Sequence, residues 1–334
     1  MRLSDFDYPL PEELIAQYPC EKREEARLLV VNRADGSLGH DTFRNIGRYL
    51  PAPSLLVVNN SRVIPARLLG RKPRTGGEVE VFLLRQVDGQ SFEAMLRPLK
   101  KIREGEPLEF PGGLRCVLVD RERRLVRFDC RDVLGRLEES GHIPLPPYIK
   151  RSDDDSDRIN YQTVYAKRPG SVAAPTAGLH FSKPLIASLK KAGHAFAEVT
   201  LHVNYGTFKP VECEDVTQHK MHSETYSIPP VTLRRLLAER ERGGKVVAVG
   251  TTSCRTLEAW ARTGRTADDT DIFIYPGGKF QVTDALVTNF HLPRSTLLML
   301  VCAFAGTDLI RRAYAEAVRE KYRFYSYGDA MVIV

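Results

Sequence analysis

The segment KVVAVGTTSCRTLEAWAR, residues 245–262, decides the fold class. Its first part, residues 245–250, is almost entirely apolar, which is typical of a strand buried on both faces of a parallel sheet. Residues 250–253, Gly-Thr-Thr-Ser, then turn the chain into a helix predicted for residues 254–262. A buried strand that leads directly into a helix predicts an α/β domain.

Further strands and helices of the same kind flank this segment. Residues 28–31 and 55–60 are apolar runs that predict buried strands. Ser182, followed by Pro184, predicts the N-cap and first turn of a helix over residues 182–192. The remaining predicted elements of this domain are helices over residues 232–242, 295–303 and 308–321 and strands over residues 199–203 and 270–275.

Residues 65–150 have a different pattern, in which short strand-like segments follow one another closely. Residues 78–83 alternate polar and apolar side chains, and residues 114–119 and 124–128 lie on either side of a charged turn. Closely spaced short strands predict a small antiparallel β-barrel. We therefore expect an α/β main domain, residues 1–64 and 151–334, interrupted by an inserted β-barrel domain, residues 65–150.

The chain is basic. Its 334 residues include 49 Lys and Arg against 42 Asp and Glu, a formal net charge of +7. This balance favours an anionic partner, and nucleic acid is the usual one. Residues 65–150 hold 17 of the basic and 13 of the acidic residues, and Arg97, Lys100, Lys101 and Arg103 lie close together there. We expect these four to bind RNA phosphates, with a solvated face as the alternative.

Composition also argues against several classes of protein. The six cysteines are scattered and form no C-x-x-C pair, so neither a disulfide framework nor a structural zinc site is expected. The first residues, MRLSDFD, are acidic and lack the apolar segment of a signal peptide. The longest apolar run, residues 297–305, is too short to cross a bilayer. We expect a cytoplasmic monomer with no membrane segment and no bound metal.

Histidines recur among loop-forming residues or at strand ends in the second half of the chain. They occur in VAAPTAGLHF from residue 172, LHVNYGT from residue 201, KMHSE from residue 220 and TNFHLP from residue 288. Histidine can move a proton near neutral pH, and a neighbouring carboxylate can assist it. The candidate catalytic residues, expected to share one cleft, are His180, His202, His222 and Glu224, with Asp329 placed there by the Gly328-Asp329 turn.

The turn at residues 250–253 predicts a site for a carboxylate or another anion. A helix N-terminus offers free N–H groups and partial positive charge, although plain N-capping is the common alternative. There is no G-x-x-x-x-G-K-[ST] pattern and no G-x-G-x-x-G pattern, which excludes a P-loop and leaves dinucleotide binding unsupported. Gly178 predicts a turn that other residues resist. The candidate substrate-binding residues are Pro175, Thr176, Gly178, Thr251, Thr252, Arg255, Asn289 and His291.

A metal site is the alternative at residues 219–224. His219 and His222 would share one face of a helix, with Glu224 nearby as a third ligand. However, the residues after His222 have an extended pattern and no partner motif occurs elsewhere. Acid–base use of His222 with Glu224 is therefore favoured, and a metal-dependent hydrolase sensitive to chelators stays the alternative.

The longer motifs carry a family resemblance. VAAPTAGLHF, LHV from residue 201, MHSE from residue 221, VGTTSCRTLE from residue 249, TNFHLPRSTLLML from residue 288 and YSYGDAM from residue 325 resemble the S-adenosylmethionine:tRNA ribosyltransferase-isomerase family of queuosine biosynthesis. VNNSRVIPARL from residue 58 and YQTVYA from residue 161 extend the resemblance over essentially the whole chain. The chain departs from the family pattern at Asn204-Tyr205, Asn160 and Gly278-Lys279, which concerns local contacts only.

The resemblance implies an α/β domain with an inserted β-barrel and an unusual transfer reaction. The ribosyl group of S-adenosylmethionine would be moved and isomerised onto the aminomethyl group of a 7-deazaguanine at the tRNA wobble position. The products would be epoxyqueuosine-tRNA, adenine and methionine. S-adenosylmethionine is then a co-substrate, and no cofactor is expected.

The residues fit the demands of that reaction. The sulfonium acidifies the ribose 5′ carbon next to it, so a positioned base can start elimination, and the departing adenine needs a proton donor. Thr251, Thr252 and Arg255 would hold the methionine carboxylate, and Asn289 and His291 would face the adenine or the ribose. A tRNA-binding module without catalysis is the alternative from another class.

Overall fold

The computed structural model describes residues 1–204, 206 and 211–334, so Tyr205 lies outside the described residues. The strands are β1 Arg27–Val31, β2 Leu38–Thr42, β3 Ser54–Asn59, β4 Ser61–Val63, β5 Arg67–Arg71, β6 Glu78–Gln86, β7 Ser91–Arg97, β8 Pro107–Glu109, β9 Arg115–Asp120, β10 Leu125–Phe128, β11 Arg168–Ser171, β12 Ala195–Leu201, β13 Glu224–Ser227, β14 Lys245–Val249, β15 Ala267–Thr270, β16 Ala285–Asn289 and β17 Ala330–Ile333. The helices are α1 Val133–Ser140, α2 Asp157–Asn160, α3 Lys183–Lys191, α4 Pro230–Glu241, α5 Thr251–Thr263, α6 Thr296–Ala305 and α7 Thr307–Arg319.

A nine-stranded sheet forms the centre of the molecule, in the order β15-β13-β12-β3-β14-β16-β17-β1-β2. The four strands β12, β3, β14 and β16 are parallel to one another. Alternate side chains of β3 enter two different cores, with Leu55 and Val57 on one face and Leu56 and Val58 on the other. This two-sided burial is why the strands read as continuous apolar runs, and the predicted α/β class is confirmed.

A second, antiparallel sheet contains β5 to β10. Its pairings run β10-β7-β6-β5-β8-β9, and β9 also pairs with β10, so each strand has two neighbours. The sheet encloses its own core, which includes Leu68, Val81 and Phe92. The chain leaves the α/β part after β4 and returns at β11, which pairs with β4 in parallel. The domain boundaries at residues 65 and 150 stay a prediction.

Some elements differ from the prediction. The strand predicted over residues 270–275 is wrong, because β15 ends at Thr270, where its pairing with β13 ends. The strands β16 and β17 were not predicted, since they are only five and four residues long and buried throughout, and so short a segment gives no period that separates strand from helix. Ser182 is the N-cap of α3 as predicted, and its hydroxyl accepts a hydrogen bond from Leu185 N at 3.2 Å. None of the helices in the described ranges has the length and apolarity needed to cross a membrane.

Candidate active site

A pocket of about 690 Å³, measured with its opening to solvent, lies at the carboxyl ends of β14 and β16. Gly250, Thr251 and Thr252 reach it from β14, and Thr288 and Asn289 reach it from β16. Open α/β sheets bind their ligands at this edge. We call this space the substrate pocket. Of the eight predicted substrate-binding residues, it brings together six: Pro175, Thr176, Thr251, Thr252, Asn289 and His291.

The start of α5 forms one side of the substrate pocket. Gly250 adopts φ +89° and ψ 153°, a conformation that strongly favours glycine and lets β14 pass directly into the helix. No side chain caps the helix, because its N-cap residue is Gly250, and the Ser253 hydroxyl donates to Val249 O at 2.8 Å. The Thr252 hydroxyl is buried and has no partner among the described residues. The site therefore offers free N–H groups and a hydroxyl to an anionic ligand.

A buried ion pair supports this side of the pocket. The Arg255 side chain is 5% exposed and pairs through Nη1 with Glu224, whose other oxygen accepts from Asn204 N at 3.0 Å. Nε and Nη2 of Arg255 are buried and have no partner within the described ranges. Thr252 and Arg255 are one helical turn apart and lie on the same side of α5. Arg255 does not itself line the substrate pocket, but its two unused donors belong to a residue on the side of α5 that carries the pocket-lining Thr252 hydroxyl.

Asn289 presents a hydrogen-bond acceptor from the opposite side. Its Nδ2 donates to Tyr325 O at 3.0 Å and to His180 Nε2 at 3.2 Å, and lies 3.4 Å from Asp329 O. Because backbone carbonyls can only accept, these neighbours fix which end of the amide is NH₂. Its Oδ1 is buried without a partner among the described residues. A ligand group that meets Asn289 there must be a donor.

His180 lies behind Asn289, outside the lining of the substrate pocket. Burial, followed by the charges of Arg323 and Arg23, lowers the pKa of His180 to about 3, so the ring is neutral and accepts the Asn289 hydrogen bond. The ring also packs on Phe43, with 5.0 Å between centroids. His180 is therefore placed to position Asn289, since its ring bonds to that amide and does not itself line the substrate pocket.

The predicted single histidine cleft is not what the structure shows. His202 packs against Gly170, where an added Cβ would lie 3.0 Å from the ring. His222 and Glu224 line a separate pocket of about 990 Å³, open to solvent, that also includes Thr296 at the start of α6. The residues are therefore divided among three places: His180 behind Asn289, His202 against Gly170, and His222 with Glu224 in the separate pocket.

Two further predicted site residues, Asp329 and Gly178, have contacts that support the fold and do not line the substrate pocket. Asp329 is buried and accepts from Arg27 N at 2.9 Å and Arg323 N at 2.7 Å, which ties the last turn to β1, and burial raises its pKa. It does not line the substrate pocket. Gly178 has no unusual turn, and a Cβ there would lie 2.1 Å from the Tyr165 hydroxyl. Close packing, not backbone freedom, is what requires glycine.

Two tyrosines that the sequence did not single out as site residues form a wall of the substrate pocket. Tyr148 and Tyr325 have ring centroids 4.6 Å apart, and the Tyr148 hydroxyl is 2.6 Å from Ser326 Oγ. Tyr325 adopts φ +70°, a left-handed conformation that is costly for a non-glycine residue. Its carbonyl accepts from Asn289, as described above, so this strained backbone and the amide hold each other in place. No pattern in the sequence signals a pair so far apart in the chain.

His291 completes the floor of the pocket. Its Nε2 is 2.7 Å from the Thr288 hydroxyl, and the Tyr8 hydroxyl donates to its backbone carbonyl. Burial lowers the pKa of His291 to about 3, so this ring is also neutral at physiological pH.

We expect these two histidines to make the fold sensitive to acid. Each binds a proton in the unfolded chain near its ordinary pKa of 6.5 but in the folded chain only near 3. Stability should therefore fall as the pH drops from about 6.5 towards 3, by about 2–3 kcal/mol per histidine at pH 4.5. Denaturant unfolding at pH 7.5 and 4.5 should show a smaller acid loss for His180→Gln than for the wild type. The exposed His40→Gln is the control, and an equal loss in wild type and His180→Gln would contradict the assignment.

The predicted RNA-binding residues are exposed, and Arg97 ends β7. Lys100 and Lys101 follow in a short 3-10 helix, and Arg103 comes next. Arg97 lies 3.9 Å from Glu80, a distance too long to neutralise it fully at the surface.

The described part of the chain contains no group of three or more His, Cys, Asp or Glu side chains placed to hold a metal ion. His219 instead packs edge-on against Phe273, with 5.3 Å between ring centroids, and Glu224 is paired with Arg255. The ligand set of the metal-dependent hydrolase is therefore not assembled by these residues.

Comparisons with known proteins agree with the motifs. A family model described as queuosine biosynthesis protein matches residues 3–333. Relatives named S-adenosylmethionine:tRNA ribosyltransferase-isomerase include those of Symbiobacterium thermophilum, 52% identical, and Sulfurihydrogenibium sp., 49% identical, each aligned over 100% of both chains. The crystal structure of S-adenosylmethionine tRNA ribosyltransferase from Thermotoga maritima has a TM-score of 0.57 at 40% identity, over 99% of this chain and 100% of that chain. The chain therefore belongs to the queuosine biosynthesis protein family.

Proposed function

We propose that this chain is a transferase that moves and isomerises the ribosyl group of S-adenosylmethionine onto the aminomethyl-7-deazaguanine at the tRNA wobble position. The products are epoxyqueuosine-tRNA, adenine and methionine. The observation that carries this proposal is the substrate pocket, whose lining combines an uncapped helix start, a residue with an unpartnered hydroxyl, a residue with an unpartnered amide oxygen, and aromatic and apolar side chains.

The methionine part of the ligand fits the start of α5. A carboxylate can accept from the free N–H groups of the first turn and from the Thr252 hydroxyl. The two unused donors of Arg255 match a carboxylate in the same way, since a guanidinium binds it with two parallel hydrogen bonds. The Glu224 carboxylate pairs with the remaining nitrogen of this guanidinium, Arg255 Nη1, and so holds it in place.

The nucleoside part fits the other side of the pocket. Tyr148 and Tyr325 offer an aromatic surface on which a purine can stack. The Oδ1 of Asn289 needs a donor, which a ribose hydroxyl or the adenine amino group supplies. His180 and His291 are neutral at physiological pH and so cannot supply a proton there. We assign proton transfer to His222, which is exposed in the separate pocket beside Glu224, rather than to His202, which packs against Gly170.

The tRNA would be bound by both parts of the molecule. We infer that residues 65–150 form an inserted β-barrel domain, and that Arg97, Lys100, Lys101 and Arg103 bind RNA phosphates there. The proposal further includes a monomer that works in the cytoplasm, with S-adenosylmethionine as co-substrate and no cofactor.

Release of adenine is the direct test. Incubating the protein with S-adenosylmethionine and tRNA that carries the aminomethyl-deazaguanine should release adenine and methionine, and omission of this tRNA should stop it. We expect the rate to be unchanged by a chelator, because no metal ligand set is assembled by the described residues. Tight tRNA binding without adenine release would favour the binding module instead. Loss of activity with the chelator would favour a metal-dependent enzyme.

A further inference from the structure

A second recess lies behind the substrate pocket and has a positive lining. It measures about 340 Å³ with its opening to solvent, and Arg23, Arg323 and His180 contribute to it. No Asp or Glu lies among its described lining residues. Ser326 lines both this recess and the substrate pocket, and the His180–Asn289 hydrogen bond joins the two spaces. We call it the arginine recess.

Both guanidinium groups are held by neutral acceptors. Arg23 donates to Gln162 O at 2.7 Å and Ile159 O at 2.8 Å. Arg323 donates to Tyr327 O at 2.6 Å and Tyr18 O at 3.3 Å. These bonds fix the direction of two cations while leaving their charge without a carboxylate partner among the described residues.

The Asp329 carboxylate lies close enough for the Arg323 charge to act on its pKa, but among the described residues it makes no ion pair with either guanidinium. Its two oxygens instead accept backbone N–H groups, from Arg27 and Arg323. The neighbouring ring responds to both cations, because the charges of Arg323 and Arg23, after burial, lower the pKa of His180. Two oriented cations that line a recess with no carboxylate paired to them among the described residues match an oxyanion, and phosphate is one of the groups that arginine forks bind with two hydrogen bonds.

An exposed aromatic ring stands at the rim of the arginine recess. Tyr18 is 57% exposed, and its carbonyl is bound by Arg323. The Arg151 guanidinium covers one face of the ring, 4.2 Å from its centroid. An arginine-backed ring that stays accessible is the usual platform for an unpaired base beside a bound phosphate.

We propose that the arginine recess binds a backbone phosphate of the tRNA substrate, next to the nucleotide whose base enters the substrate pocket. This inference rests on the proposed function, because the phosphate belongs to the tRNA that the proposed function names as substrate. A base is joined to its phosphates through one ribose, so a base that enters the substrate pocket brings its phosphates close to that pocket. The arginine recess lies at this short distance, because Ser326 lines both spaces. Arg23 and Arg323 are the binding groups, and Tyr18 stacks on a flanking base.

The test measures tRNA affinity as a function of salt. Arg23→Gln and Arg323→Gln should each weaken binding of the aminomethyl-deazaguanine tRNA about 10-fold, because each loses a charge-assisted hydrogen bond. The slope of log Kd against log salt should fall by about 0.7, the value for one single-stranded phosphate contact. Lys22→Gln is the matched control, since it also removes one positive charge. Lys22 is next to Arg23 in the chain, but its side chain is exposed and pairs with Glu25 at 3.4 Å. This control should leave both quantities near wild type.

Further arms separate the possible outcomes. S-adenosylmethionine affinity, measured by calorimetry without RNA, should not change in either variant, and adenine release by the wild type tests the proposed function separately. Should the Gln variants not fold, Arg23→Lys and Arg323→Lys keep the charge and should keep most of the salt slope. A methylphosphonate at the contacted phosphate should then weaken binding to the wild type. Wild-type tRNA affinity and salt slope in folded Gln variants would overturn the inference. It would also be overturned if the Gln variants lost binding of inorganic phosphate while their tRNA affinity stayed at the wild-type value.

Discussion

Arg255→Met should destabilise the fold by about 3–5 kcal/mol, because it removes the guanidinium that pairs with the buried Glu224 carboxylate. The same variant should bind S-adenosylmethionine about 100-fold more weakly, since two charge-assisted hydrogen bonds to the methionine carboxylate are lost. The first effect follows from the observed ion pair, and the second from the two unpartnered nitrogens of Arg255. Denaturant unfolding and calorimetry measure them separately.

A double variant distinguishes binding from stability. In Arg255→Met with Glu224→Gln, neither position of the buried ion pair carries a charge, so most of the lost stability should return. The affinity for S-adenosylmethionine should not return, because the donors are still missing. Arg262→Met is the matched control, as it removes an exposed arginine from the same helix. If the double variant recovers both stability and affinity, Arg255 only supports the fold and the carboxylate is held elsewhere.

The α5 side of the site could be predicted because its signals are local. Gly250 and the two threonines after it lie at one strand–helix junction, and the geometry of such a junction depends on few neighbours. The same motif predicts that Arg255 binds a carboxylate, which stays a prediction. The Glu224 partnership was not, because it joins β13 to α5 across the fold. Local sequence signals therefore predict this helix start and its polar side chains, but not the distant residue that holds Arg255.

The histidines show the opposite case. Each has a local pattern suited to catalysis, yet whether a ring is buried or exposed depends on distant residues. Burial against Phe43 and the approach of Arg23 and Arg323 make His180 neutral, and none of these lies in its motif. Tyr148 gives no signal at all, because its role follows only from its contact with Tyr325.

Asn289 is where these long-range contacts meet, and Asn289→Leu should lower kcat/KM for S-adenosylmethionine about 100-fold. The variant removes the acceptor in the pocket and leaves Tyr325 O and the His180 ring without their donor, each a buried group that is costly to leave unpaired. Asn289→Asp keeps the size but turns an oxygen towards two carbonyls, so it should also fail. Steady-state adenine release measures both.

The role of His180 can be separated from that of Asn289 by variants that keep or remove the acceptor that His180 offers to Asn289 Nδ2. His180→Gln can still accept from Asn289 Nδ2, so it should keep most of the activity, whereas His180→Leu cannot and should approach Asn289→Leu. Analogues of S-adenosylmethionine that lack one ribose hydroxyl, or carry a dimethylated adenine amino group, then identify the donor. The analogue that lacks it should lose rate with the wild type but not with Asn289→Leu, because the interaction is already absent there. If His180→Gln and His180→Leu are equally inactive, the ring itself takes part in the chemistry, and its buried, neutral state would have to change when the substrates bind.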